Sequence, residues 1–108
     1  MAKSTLNAAR IDDETLQAFA AVTEPTRLRI LFLLGEKGRL CVGDLASYFR
    51  ISRPAVSHHL KILKDNHLVL GEKSGQEVYY SVAISNLVNK LRLLADCLEQ
   101  CCPADPNH

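Results

Sequence analysis

A single, mainly α-helical domain that carries one β-hairpin is the fold class that the sequence predicts. Apolar residues recur with a helical period in several segments of the 108-residue chain, and they alternate as in strands only between positions 68 and 82. No apolar run is long enough to cross a bilayer. The length and the hydrophobic fraction of 47% are those of one domain with its own core.

The first two predicted helices meet near position 24. Asp12-Asp13-Glu14 places acid at a helix start, where the helix dipole favours negative charge. We expect Thr23 to cap the second helix and Pro25 to lie in its first turn. The apolar residues of Leu28–Leu34 lie almost all round this helix and predict a central position, and Gly35–Gly38 ends it.

Two shorter helices are expected next. One covers residues 42–49, and the other runs from Arg53 to Asn66 after a turn at Arg50-Ile51. Ser52 is the predicted cap of the second of these helices, because a serine hydroxyl accepts from free amide groups of the first turn. The stripe that this helix should bury consists of Val56, Leu60 and Leu63.

The period then changes to that of strands and back again. Residues 68–73 and 76–82 read as two strands joined by a turn at Ser74-Gly75. From Ile84 a narrow apolar stripe indicates a last helix, which Pro103 stops. The predicted order is α-α-α-α-β-β-α in one domain over residues 12–102, with a flexible arm over 1–11 and a flexible tail over 103–108.

This order is that of a winged helix-turn-helix, whose second short helix reads the DNA major groove. Four cations and no acid lie between Arg50 and Lys64, although the whole chain has a net charge of only +1. Arg53 is the candidate for contacting a guanine edge, and the other cations and hydroxyls suit phosphates. A solvated basic surface is the alternative interpretation. The candidate DNA-binding residues are Ser52, Arg53, Ser57, His58, Lys61, Lys64, Lys73 and Gln76.

Two adjacent histidines lie in the middle of this helix. His58 and His59 point about 100° apart on a helix, so they cannot chelate one ion together. We expect His58 to face DNA, and His59 to border the core and to be hydrogen-bonded rather than a metal ligand.

Three segments carry a resemblance to a known family. Glu24–Leu31 (EPTRLRIL), Ser52–Leu63 (SRPAVSHHLKIL) and Val78–Ser81 (VYYS) are similar to the ArsR/SmtB family of bacterial repressors. The resemblance covers roughly residues 12–95. It implies a homodimer through the first and last helices that represses a double-stranded operator until an inducer, usually a metal or metalloid ion, weakens the complex.

Three cysteines cluster at the end of the last predicted helix. Cys97 and Cys101 are four residues apart and share one helix face, and Cys102 can leave helical geometry because Pro103 follows it. Three sulfurs without a nearby nitrogen suit trivalent arsenic or antimony better than tetrahedral zinc. Packing within the dimer and thiol redox sensing are the alternatives. The predicted metal ligands are Cys97, Cys101 and Cys102, and no organic cofactor is expected.

The fourth cysteine, Cys41, lies in a segment that resembles the family's arsenite motif. In that motif two cysteines flank a valine, whereas here the second position is Gly43. Cys41 is therefore expected to be a buried packing residue. The family's zinc site on the last helix uses Asp and His ligands, and this helix has Asp96 but no histidine, which argues against zinc.

Other classes of protein fit the sequence less well. An enzyme needs a nucleophile, a base and an orienting group together, and no motif here places a histidine beside a cysteine. A redox-sensing or persulfide-sensing repressor and a DNA-binding module without a ligand remain open on the same fold. The N-terminus lacks the apolar run of a signal peptide, so we expect a cytoplasmic protein without a membrane partner.

Overall fold

The computed structural model describes residues 11–101 and has the architecture of a winged helix-turn-helix. Within this range no helix has the length and hydrophobicity that a membrane-spanning helix requires. The elements in chain order are α1 (Asp13–Thr23), α2 (Pro25–Lys37), β1 (Leu40–Cys41), α3 (Val42–Phe49), α4 (Arg53–Asp65), β2 (Val69–Ser74), β3 (Glu77–Val82) and α5 (Ile84–Cys101). The predicted order of helices and hairpin strands is confirmed, and β1 is an addition to it.

The boundary between α1 and α2 differs from the predicted one by one residue. Thr23 ends α1, and its hydroxyl donates to the Ala20 carbonyl at 3.0 Å. Glu24 instead has the extended backbone of a cap, and its carboxylate accepts from the Arg27 amide at 2.8 Å. The prediction of Thr23 as the cap was wrong, because α1 continues through it and the longer Glu24 side chain satisfies the first turn of α2.

The turn of the helix-turn-helix is set by a left-handed residue and a cap. Arg50 ends α3 with φ 57°, and its amide donates to the Ala46 carbonyl. Ser52 then starts α4, with its hydroxyl accepting from the Ala55 amide at 3.2 Å. Three residues therefore connect α3 to α4, and the two helices pack against each other.

We expect Ser52→Ala to lower the free energy of unfolding by about 1 kcal/mol, because the replacement leaves an amide in the first turn of α4 without its side-chain partner. Urea denaturation at fixed protein concentration measures the change. Ser47→Ala, at an exposed position within α3, is the matched control and should stay within about 0.5 kcal/mol of the parent. Equal effects at both positions would contradict this account of the cap.

Three antiparallel strands form a small sheet in the order β1-β3-β2. Ser74 pairs with Glu77, so the hairpin turn is Gly75-Gln76 rather than Ser74-Gly75, with Gly75 at φ 64°. Strand β1 pairs Leu40 with Tyr80. A two-residue strand has no readable period of its own and exists because β3 supplies its hydrogen-bonding partner.

The core lies between α1, α2, α3, α4 and the base of the hairpin. Its fully buried members include Ile30, Leu34, Leu45, Val56, Leu60, Leu63 and Leu68. Helix α2 is central, as predicted, but it is not buried all round. Phe32 is 71% exposed and Leu28 is 39% exposed, so one side of α2 remains open.

Helices α1 and α5 pack together and leave an apolar surface uncovered. Lys90 on α5 pairs with Glu14 on α1 at 3.0 Å. The predicted stripe of α5 is only partly covered within one chain, and the exposed apolar residues of the two helices include Leu16, Phe19, Leu91 and Leu98. A monomer this small gains stability when such a surface is covered.

Candidate nucleic-acid interface and thiol cluster

The predicted DNA-binding side chains lie on the exposed side of α4 and at the tip of the hairpin. The stripe of Val56, Leu60 and Leu63 fixes the rotation of α4, because all three are at most 1% exposed. The opposite side, which we call the reading face, consists of Arg53, Ser57, His58, Lys61 and Lys64, all exposed. Ser52, Lys73 and Gln76 are exposed as well.

Arg53, in the first turn of α4, rests against the start of α3. A Cβ at Gly43 would lie 2.9 Å from Arg53 Nη2, which is closer than side-chain atoms normally approach. Because Gly43 has no side chain, the Arg53 guanidinium can pack against the start of α3. Gly43 is also the position at which the resembling arsenite motif has its second cysteine, so this chain has an arginine group where that thiol would project.

Lys61 and Lys64 differ in their surroundings. Lys61 Nζ lies 3.1 Å from Asp65 Oδ2, with both side chains exposed, and this acid lies one residue beyond the acid-free segment. Asp65 would compete with a bound phosphate for the Lys61 ammonium, although an exposed pair of this kind is weak. Lys64 is exposed on the same face.

The hairpin combines polar groups of both charges. Gln76 lies in the turn and Lys73 near the end of β2, whereas the acids Glu72 and Glu77 lie on the two strands. Where β3 pairs with β1, the Arg39 guanidinium carbon lies 5.1 Å from the centre of the Tyr79 ring. No local pattern in the sequence indicates this role of Arg39, because its aromatic partner belongs to another element 40 residues away.

Cys41 is buried, as predicted. It is 9% exposed and precedes α3. Its amide lies 3.2 Å and its Sγ 3.3 Å from Asp44 Oδ2, with both groups donating to that carboxylate. The thiol thus helps to close the start of α3.

Two of the three clustered cysteines fall within the described part of the chain. Cys97 is 3% exposed and Cys101, one helical turn later, is partly exposed. Cys102 lies outside the described residues. Among residues 11–101 no group of three or more His, Cys, Asp or Glu side chains is arranged to hold a metal ion, so the three-sulfur site stays a prediction.

His59 lies on the inner side of α4, as the sequence analysis expected. Its side chain is 17% exposed, and its Nδ1 lies 3.3 Å from Arg27 Nη1. Burial lowers the pKa of His59; Glu24 opposes this shift, while Arg27 and His58 add to it. The sequence indicated a hydrogen bond but not its partner, because Arg27 belongs to α2.

The arrangement of α3, α4 and the hairpin identifies the class of protein. A helix-turn-helix with an exposed basic reading face, followed by a β-hairpin wing, is a DNA-binding module of the winged helix-turn-helix class. The chain belongs to the arsR family of bacterial regulatory proteins, and the model of that family's helix-turn-helix domain matches residues 24–69. The resemblance noted from the sequence is thereby confirmed.

Three relatives illustrate the range of the family. The chain is 42% identical over 82 residues to a transcriptional repressor SmtB homologue of Synechocystis sp., matching 76% of this chain and 61% of that protein. It is 37% identical to the transcriptional repressor SdpR of Bacillus subtilis over 76% of this chain and 90% of the relative. It is 40% identical to an arsenical resistance operon repressor of Escherichia coli, over 63% and 58% of the two chains.

Solved structures share the fold. An ArsR-like transcriptional regulator from Rhodococcus sp. RHA1 has a TM-score of 0.69 at 32% identity, with 77% of each chain covered. The homodimeric winged helix-turn-helix domain of Mb0332 from Mycobacterium bovis has a TM-score of 0.66 at 26% identity, covering 78% of this chain and 80% of that one.

Proposed function

We propose that this protein is a transcriptional repressor that binds a double-stranded operator as a homodimer. The main support for this proposal is the reading face. Its three cations, Arg53, Lys61 and Lys64, project from the side of α4 opposite the buried stripe. Arg53 would contact a base edge, while Ser52, Ser57, Lys61 and Lys64 would contact phosphates. His58 would add a polar contact, and Lys73 and Gln76 would reach the adjacent backbone or groove.

The dimer is proposed to form through α1 and α5. The exposed apolar residues on these helices, Leu16, Phe19, Leu91 and Leu98, supply a surface that a second copy would cover. A two-fold dimer would present its reading helices to successive turns of the major groove, which favours a palindromic operator. The homodimeric state of the Mycobacterium bovis neighbour supports a homodimer of this chain.

We further propose that trivalent arsenic or antimony, free or as an organoarsenical, is the inducer and binds Cys97, Cys101 and Cys102. The arsenical resistance repressor among the relatives supports this class of ligand. Because Cys97 is 3% exposed, its sulfur would become accessible to the metalloid only when the end of α5 moves. Since α5 also supplies the dimer surface, this movement would shift the two reading helices relative to each other and weaken the operator complex.

A comparison of Lys64→Ala with Arg53→Ala tests the DNA-binding part. A duplex that the parent protein selects from a randomised pool serves as the probe. Arg53→Ala should lose about 1–3 kcal/mol of discrimination against one base change. Lys64→Ala should weaken binding about uniformly across sequences, and should reduce the slope of log K against log salt by about 1.

Fluorescence anisotropy at several salt concentrations measures both effects. Leu70→Ala, on the hairpin at a 60% exposed position, is the control for an apolar surface change. If the parent selects no sequence over a scrambled duplex, the proposed function is wrong. If both variants behave alike across the base changes, the distinction between base and phosphate contacts is wrong.

A further inference from the structure

One titratable side chain of α4 turns away from the reading face and into the domain. His59 lies between the exposed His58 and the buried Leu60, and its Nδ1 is 3.3 Å from Arg27 Nη1. An arginine guanidinium only donates hydrogen bonds. Nδ1 must therefore accept, and the ring proton must sit on Nε2. This contact exists only while the imidazole is neutral.

Arg27 makes two further hydrogen bonds besides its contact with His59. Its Nε donates to the Ala21 carbonyl at 2.8 Å, which is one of the last carbonyls of α1 and has no partner within that helix. Its backbone amide donates to Glu24 Oε1 at 2.8 Å. Arg27 thus joins the end of α1, the start of α2 and, through His59, the reading helix α4.

Protonation of His59 would change the partner of its Nδ1. The charged or titratable groups that face the ring within the described residues are Glu24, which caps α2, Arg27 of α2 and His58 of α4. A charged imidazole would place a second cation 3.3 Å from the guanidinium. Its Nδ1 proton would instead point to Glu24 Oε1, at present 3.9 Å away. The tie from Arg27 to α4 would be lost.

We propose that neutral His59 is a positioning residue for operator binding: by accepting from Arg27 it fixes α4 at the angle at which the reading face fits DNA, and its protonation weakens the operator complex. This inference deepens the DNA-binding function proposed above and rests on it. His59 acts through the orientation of its helix and makes no contact with DNA itself.

The direction of the pH effect follows from burial. Since burial holds the pKa of His59 below its ordinary value, the unfolded chain binds this proton more readily than the folded one does. The stabilising contact is therefore complete above the ordinary histidine pKa of about 6.5, and it is lost progressively as the pH falls from there through the lower pKa of the folded protein.

Two substitutions separate the effect of the hydrogen-bond acceptor from the effect of ring protonation. His59→Asn places Oδ1 where Nδ1 lies, so it keeps an acceptor for Arg27 and cannot titrate. His59→Gln places its oxygen farther along the side chain, at the position of Nε2, and leaves Arg27 Nη1 without this acceptor. The affinity of each protein for the duplex selected by the parent is measured from about pH 7.5 downward, until the ¹⁵N spectrum shows that His59 of the parent protein is protonated.

At the higher pH the parent and His59→Asn should bind alike, and His59→Gln about fivefold more weakly, the ratio that corresponds to one typical hydrogen bond. Once His59 is protonated, the parent should lose about fivefold relative to His59→Asn. Because His58 and every other titrating group are present in both proteins, their effects cancel in this ratio. A constant ratio, or a parent that gains over His59→Asn in acid, would overturn the inference.

A second measurement does not depend on any variant or on DNA. The ¹⁵N spectrum of the parent protein should show His59 neutral with its proton on Nε2 at about pH 7.5. A charged ring, or a proton on Nδ1, would overturn the inference even if the variants fail to fold. Failure of the parent to select any duplex would overturn the DNA-binding function itself, so the two failures are distinct.

Discussion

Replacement of Cys101 and Cys102 together by serine is expected to leave operator binding unchanged and to abolish its release by arsenite. Serine keeps the size of each side chain but removes the soft sulfur ligand that a thiophilic ion requires. The remaining Cys97 is buried and one sulfur cannot hold a trivalent metalloid. For the parent we expect arsenite to weaken the operator complex by between about fivefold and about 150-fold, the usual range of a coupling between two sites.

The experiment titrates arsenite into the preformed operator complex under reducing conditions. Cys41→Ser is the matched control, because Cys41 donates to Asp44 at the start of α3 and a serine hydroxyl keeps that contact. This control should release as the parent does. Equal release from the parent and the double variant would contradict the site, whereas release by an oxidant or a persulfide alone, reversed by a reductant, would favour the redox alternative.

Leu60→Ala is expected to lower the free energy of unfolding by about 2–5 kcal/mol. Leu60 is 1% exposed, at the point where α4 packs into the core. Alanine forms helices well, so the loss reflects the cavity left in the core rather than a weaker α4. A loss of this size is a large part of the total stability of a domain, which is about 5–15 kcal/mol.

Urea denaturation at one fixed protein concentration measures this loss, since a dimer's apparent stability depends on concentration. Leu70→Ala makes the same chemical change at a site that is 60% exposed and should change stability by at most about 0.5 kcal/mol. Similar losses at the two positions would mean that α4 does not pack as described. The comparison also separates loss of folding from loss of DNA contacts when reading-face variants are interpreted.

Local patterns in the sequence predicted much of the fold. The stripe of Val56, Leu60 and Leu63 fixed the rotation of α4, and with it the exposure of every residue assigned to the reading face. Ser52 was recognised as a cap because its hydroxyl and its target amide lie three residues apart. Such signals are readable because both partners lie within one helical turn or one strand.

Two predictions were wrong, the cap of α2 and the position of the hairpin turn, and at each site two neighbouring choices are locally acceptable. Thr23 and Glu24 can each cap a helix, and the continuation of α1 through Thr23 decided between them. Ser74-Gly75 and Gly75-Gln76 are both acceptable turns, and the pairing of Ser74 with Glu77 selected the second. A shift of one residue in either case costs little locally, so only the contacts of the neighbouring elements fix it.

The sequence by itself determined the order of the helices and hairpin strands, the buried stripe of α4, the basic character of its opposite side and the clustering of thiols after Ala95, because each of these depends on neighbours along the chain. Only the tertiary structure decided that Arg27 holds His59, that Arg53 rests over Gly43, that Cys97 is buried while Phe32 is exposed, and that β1 exists at all. These contacts join residues from different elements, and their free energy is available only after the chain has packed.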